Sequence, residues 1–115
     1  MYKKYNQLPQ VAFCILLALS LKERHGYEII KQIEEDSNGK IHLGPGALYT
    51  SIKQLCKKGL IVEVSKRDDT KRRYYKLTGA GTKALESELE FYQNVLELAR
   101  ERKLVGNHYQ HQHAQ

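Results

Sequence analysis

Between residues 11 and 19 every position is apolar, and Leu21 extends the run past Ser20. Such continuity exceeds what a surface helix with one wet face requires, so it predicts a first helix buried on most sides, opened by Pro9. Glu23 to Gly26 reads as a turn with Gly26 as the breaker. From Tyr27 onward Ile29, Ile30 and Ile33 share one helical face, while Glu28, Lys31, Gln32 and Glu35 point outward. Asn38-Gly39 stops this second helix. Ile41-His42-Leu43 alternates briefly, which suits a minimal strand or an extended connector. Gly44-Pro45-Gly46 opens a third helix, and Gly59, after Lys57-Lys58, closes it with cations set against the helix dipole.

The period then changes. Residues 60–64 and 72–77 alternate as strands around a polar, charged turn at 65–70, which makes a hairpin. Tyr74-Tyr75 alternates across the returning strand, so one ring enters the core and the other faces out. Thr78 is the candidate N-cap of a long last helix. Within it Leu85, Leu89, Tyr92, Leu96 and Ala99 recur at spacings of four and three, the seam of a coiled coil, and Phe91, Val95 and Leu98 widen it. That breadth exceeds the need of a short contact within one chain. From Gly106 the chain is rich in His and Gln and predicts no ordered element. The fold class is therefore mostly α with a small β-hairpin, in three stretches: 1–78 as a winged helix-turn-helix domain, 79–105 as a dimerisation helix, and 106–115 as a disordered tail.

Length and composition narrow the function. The 115 residues fit one small domain, and 41% hydrophobic with 28% charged residues is ordinary for a globular chain. The nine-residue apolar run is far short of the ~20 residues that span a bilayer, and no signal-peptide pattern surrounds it, so a cytoplasmic protein without a membrane partner is expected. Cys14 and Cys56 both sit in apolar-periodic segments and read as reduced thiols. The net charge of +6 is uneven: through Lys76 there are fifteen basic and eight acidic residues, and beyond it four and five. A basic front of this kind suits a polyanion. His108, His111 and His113 lie in the tail without a Cys or carboxylate beside them, so no metal is expected. His25 reads as a cap or packing residue of the second helix. No phosphate-cradling loop, nucleophile triad or carboxylate pair is present, which predicts neither an enzyme nor a cofactor.

Three helices followed by a hairpin, with a tight turn before the third helix, is the winged helix-turn-helix layout. On that third helix Leu48, Ile52 and Leu55 share the core face. Gly46, Thr50, Lys53 and Lys57 occupy the opposite one, with Tyr49 on its flank. A narrow apolar seam backed by cations and a hydroxyl suits insertion into a DNA major groove. Gly44 and Gly46 let backbone N–H groups approach a phosphate. Lys71, Arg72 and Arg73, with Lys66 and Arg67, concentrate cations on the hairpin for phosphate contacts, and Asp68 and Asp69 dilute them at its tip.

Four short stretches then acquire a joint meaning. His25-Gly26-Tyr27-Glu28-Ile29, Leu43-Gly44-Pro45-Gly46-Ala47-Leu48-Tyr49, Gly59-Leu60-Ile61 and Arg73-Tyr74-Tyr75-Lys76-Leu77-Thr78 closely resemble the PadR family of bacterial regulators, in order and from about Leu8 to Leu98. The resemblance implies a short-type member with one helix after the wing. It implies a homodimer on double-stranded DNA at a pseudo-palindromic operator, with the first helix contributing to the dimer interface. It also implies phosphate contact near Tyr27, Tyr49 and Lys53 on the recognition helix, repression, and release by a small aromatic or hydrophobic effector. With no Trp in the chain, effector contacts would fall to Phe91 or Tyr92; otherwise both rings pack the dimer seam. Two other functions stay open on the sequence: a winged-helix module for a protein partner, and a ligand-sensing dimer with a secondary DNA role.

Overall fold

A computed structural model describes residues 8–64 and 72–106. The chain runs α1 (Gln10–Leu19), β1 (Arg24–His25), α2 (Gly26–Asp36), α3 (Pro45–Lys57), β2 (Ile61–Val64), β3 (Tyr74–Leu77) and α4 (Gly79–Glu101). The predicted turn at 65–70, Lys71 and the tail from residue 107 lie outside the described residues.

α1 is the hub. Ile15, Leu16, Ala18 and Leu19 are buried, and its half-buried Val11, Phe13, Cys14 and Leu17 pack around the same core. α2 brings Ile29 and Ile33 to this core, α3 brings Leu48, Ile52 and Leu55, and the sheet adds Ile61 and Tyr75. Burial pushes both the Cys14 and Cys56 thiols up from their ordinary value, with Asp36 and Glu63 respectively adding to it, so both remain protonated at neutral pH.

The helices stop and start where the backbone groups are provided for. Pro9 is the N-cap of α1 rather than its first residue, and the helix ends at Leu19, so Leu21 projects into water at 65% exposure. Arg24, itself buried, donates from Nε to the Ala18 carbonyl at 2.9 Å and satisfies an acceptor that the end of α1 leaves over. α2 closes through Asn38 and Gly39, both at positive φ. α3 begins with Gly44 as N-cap and Pro45 in its first turn. It ends in a Schellman turn: Gly59, at φ 76°, bonds back to Cys56, and Leu60 to Leu55.

The expected two-stranded hairpin is a three-stranded antiparallel sheet in the order β1-β3-β2. The segment read as a turn at Glu23 to Gly26 instead contributes β1, with Arg24 opposite Tyr75 and His25 opposite Tyr74, and Gly26 is the first residue of α2. Two residues are too few to register as an alternating pattern, and only the tertiary pairing with β3 makes them a strand. Ile41 to Leu43 is an extended connector, tied by the Ile41 N–H to the Ser37 hydroxyl at 2.9 Å. Tyr75 is the ring that enters the core and Tyr74 stays half-buried.

The root of α4 is locked to the turn after α3. Thr78 caps α4 by accepting from the Gly81 N–H at 3.0 Å, donates its own hydroxyl to the Gly59 carbonyl at 2.6 Å, and donates its N–H to the Leu60 carbonyl at 3.1 Å. Gly81 lies against that same Leu60 carbonyl so closely that a Cβ would overlap it.

Candidate nucleic-acid interface

The two faces of α3 separate as the periodicity requires. Leu48, Ile52 and Leu55 are buried, while Gly46, Tyr49, Thr50, Lys53 and Lys57 are exposed. The exposed face carries two ammonium groups and a hydroxyl, and among the described residues nothing lies within 4 Å of where a Cβ on Gly44 or Gly46 would stand. The N–H groups of that turn have no intrahelical acceptor, so the helix presents positive partial charge where its sequence has no side-chain cap.

Tyr49 does not simply stand out from the helix. Its phenol lies across the first residue of α2, where a Cβ on Gly26 would overlap the Tyr49 hydroxyl. A side chain at that position would displace the ring from this seat. It also joins α3 to a notch of about 420 Å³ lined by His25, Gly26, Tyr27, Tyr49, Arg72 and Arg73. Arg72 and Arg73 precede β3 rather than belonging to it, so they enter from the side, beside the N-terminus of α2. Lys31 sits 5.7 Å from the centroid of the exposed Tyr27 ring. Arg73 also approaches Glu63 at 4.0 Å, an exposed pair that ties up little of its charge. Burial, reinforced by Glu63 in register across the ladder, pushes the Tyr75 phenol up and keeps it neutral beneath this surface.

His25 is the N-cap of α2. Its ring Nδ1 accepts from the Glu28 N–H at 3.4 Å while Glu28 Oε1 accepts from the His25 N–H at 3.1 Å, the reciprocal capping box. The cap role follows from the sequence, with Glu three positions after His25. The sequence does not disclose its meeting with Arg72, whose Nη1 lies 3.3 Å from Nε2 across forty-seven residues of chain. Of the expected DNA-facing residues, the structure thus gathers Tyr27, Tyr49, Arg72 and Arg73 around one notch. Thr50, Lys53 and Lys57 lie apart from it on the open face of α3, and Lys71 lies outside the described residues.

The seam expected on α4 divides in two. Leu85 is 5% exposed and belongs to the protomer's own core. Glu88, which the sequence reading passed over, is also buried and accepts from the Leu8 N–H at 3.3 Å, tying α4 to the lead-in of α1. Beyond Glu88 nothing on α4 is buried: Leu89, Tyr92 and Leu96 are exposed, Ala99 is half-buried, and Val95 and Leu98 add to the strip. Tyr92 meets Phe13 of α1 edge-on at 5.3 Å and Phe91 at 5.6 Å, so three rings cluster where α1 and α4 meet. Among the described residues no group of side chains is arranged to hold a metal ion, and no helix is long and apolar enough to cross a membrane.

Comparison with known proteins agrees with this geometry. The Transcriptional regulator PadR-like family matches residues 15–87. An uncharacterized protein from Lysinibacillus sphaericus is 40% identical over 80 residues, covering 65% of this chain and 71% of the relative. Among solved structures, a PadR family transcription regulator from Clostridium difficile R20291 superposes with a TM-score of 0.71 at 26% identity, covering 81% of this chain and 97% of that one. Bacillus subtilis PadR in complex with operator DNA superposes with a TM-score of 0.61 at 26% identity, covering 69% of this chain and 46% of that one. The match over most of the ordered helices and the sheet, on a winged-helix architecture, establishes that this chain belongs to the PadR-like family of transcriptional regulators.

Proposed function

We propose that this regulator is a homodimeric, sequence-specific DNA-binding repressor, which sets α3 of each protomer into a major groove of a pseudo-palindromic operator. The observation that carries this reading is the exposure of Thr50, Lys53 and Lys57 on the open face of α3, together with the exposed Arg72 and Arg73 that lead into β3. Thr50 and Lys53 are the base-reading candidates, because a hydroxyl and an ammonium at mid-helix reach the edges of bases. Lys57, Arg72, Arg73 and Lys71 are the phosphate candidates, with Gly44, Gly46, Tyr27 and Tyr49 offering backbone or hydroxyl donors. The solved relative bound to operator DNA supports the same use of the fold.

The dimer is assigned to the distal strip of α4, Leu89, Tyr92, Leu96 and Ala99, with Leu85 holding its root inside the protomer. The lock between Thr78, Gly81 and the turn after α3 would then pass the dimer's geometry to the recognition helices, whose spacing must match ~34–36 Å or a multiple. Release by a small aromatic or hydrophobic effector is assigned to the ring cluster of Phe13, Phe91 and Tyr92, which borders the strip.

Fluorescence anisotropy with two variants tests the reading. Lys53→Ala should weaken binding to the chain's own upstream duplex more than to a scrambled one. Arg72→Ala should weaken both alike and reduce the slope of log affinity against log salt by about one unit. Equal losses on both duplexes from Lys53→Ala would remove it from base readout.

A further inference from the structure

We infer that Gln54 is a specificity-determining residue of this surface, reading one adenine in each half-site through its side-chain amide. The inference rests on the DNA-binding reading above and adds to it a residue and the base it takes. On α3 the core seam is complete with Leu48, Ile52 and Leu55, and Gln54 stands in the exposed sector with Ala47 and Thr50. At about 100° per residue these three form a neutral strip, with Lys53 and Lys57 as a cationic strip beside it. The open face therefore carries two chemistries. A lysine offers donors and a point charge, which hold any phosphate and carry no sequence information there. An amide offers a donor and an acceptor on one planar group. Among the described residues the Gln54 amide has no hydrogen-bond partner, so both functions are open to a ligand.

Adenine shows an N6–H donor beside an N7 acceptor in the major groove, and a glutamine amide meets both at once. Guanine presents two acceptors on that edge and cytosine only a donor, so neither satisfies the amide twice. Gln54 lies one turn beyond Thr50, about 6 Å further along the helix axis. Base pairs stack at about 3.4 Å, so the two side chains address different pairs of one half-site. On its other side Gln54 borders a recess of about 290 Å³ that it shares with Leu8, Pro9 and Ala12. Leu8 is held there by the buried Glu88 carboxylate, which accepts its N–H. This apolar wall narrows the directions open to the glutamine stem, so less rotamer freedom is lost when the amide meets a base.

Selection by the full-length protein from a randomised duplex library tests this, followed by anisotropy on the selected duplex and on each single-pair replacement of it. The wild type should enrich a half-site with one adenine whose replacement weakens binding about tenfold, the size of one bidentate contact. Gln54→Ala should lose about as much on the selected duplex and no longer discriminate at that pair, while keeping its preferences elsewhere. Its salt slope should be unchanged, because no cation has been removed, and its Tm should stay near that of the wild type, because the side chain is exposed. Gln54→Glu should turn the preference at the same pair to cytosine, whose N4–H donates to a carboxylate. A change in folding or in helix placement does not produce that exchange. A Gln54→Ala protein that discriminates at every pair as the wild type does, or that weakens selected and scrambled duplexes alike, would overturn the inference and leave DNA binding intact. A wild-type protein that enriches no sequence would instead overturn the sequence-specific reading itself.

Discussion

In α1, Ile15, Leu16 and Ala18 have lost all access to water, whereas Leu89, Tyr92, Val95, Leu96 and Leu98 on the distal half of α4 remain 39–46% exposed. The two stretches are alike in being dense with large apolar side chains. They differ in what surrounds them: α2, α3, the sheet and the root of α4 all close on α1, whereas beyond Glu88 the described residues bury no side chain of α4, Phe13 of α1 meeting only the edge of Tyr92. Apolar surface left in water on so regular a strip costs free energy at about 25 cal/mol for each Å² that a partner would cover. The contrast teaches that apolar density marks a core in one case and an exposed strip in the other, the strip to which we assign the proposed dimer, and that the burial pattern tells the two apart.

Substitutions at either end should separate these roles. The largest effect is expected in α1, where Leu16→Ala opens a cavity in a fully buried site and should cost about 2–5 kcal/mol, read as a lower urea midpoint. Gly81→Ala, at the joint between the two regions, forces a methyl group against the Leu60 carbonyl and should cost about 1–3 kcal/mol. Because that contact is with backbone, the joint itself must shift, so DNA affinity should fall further than stability explains. Leu96→Glu should leave the secondary structure by circular dichroism unchanged, yet convert a dimer to monomer in sedimentation velocity. An unfolded Leu96→Glu protein would show that the strip belongs to the protomer's own core after all, and a folded dimer would place the interface elsewhere.

Much of this arrangement was legible before any coordinates. Helix starts and stops at Pro45, Gly59 and Thr78 rest on local chemistry, and the faces of α3 rest on its period, so both could be read residue by residue. β1 could not, because Arg24 and His25 become a strand only by pairing with Tyr75 and Tyr74 some fifty residues away. The seam on α4 was legible as a period but not in its division at Glu88, since periodicity says which side chains share a face and not what lies opposite them. The notch was legible only in parts. Tyr27, Tyr49, Arg72 and Arg73 each had a reason to face DNA, but it takes the fold to show that Tyr49 reaches over Gly26 and that His25 meets Arg72.

The central claim, a sequence-specific DNA-binding regulator, is tested most directly by titrating the protein against a labelled duplex from its own upstream region and a scrambled duplex of equal length. Fluorescence anisotropy at two salt concentrations gives both affinities and both slopes. The account predicts that binding to the native duplex survives the higher salt while binding to the scrambled one falls away, because base contacts persist when phosphate contacts are screened. Equal affinities that collapse together with salt, or no binding to either duplex, would contradict it.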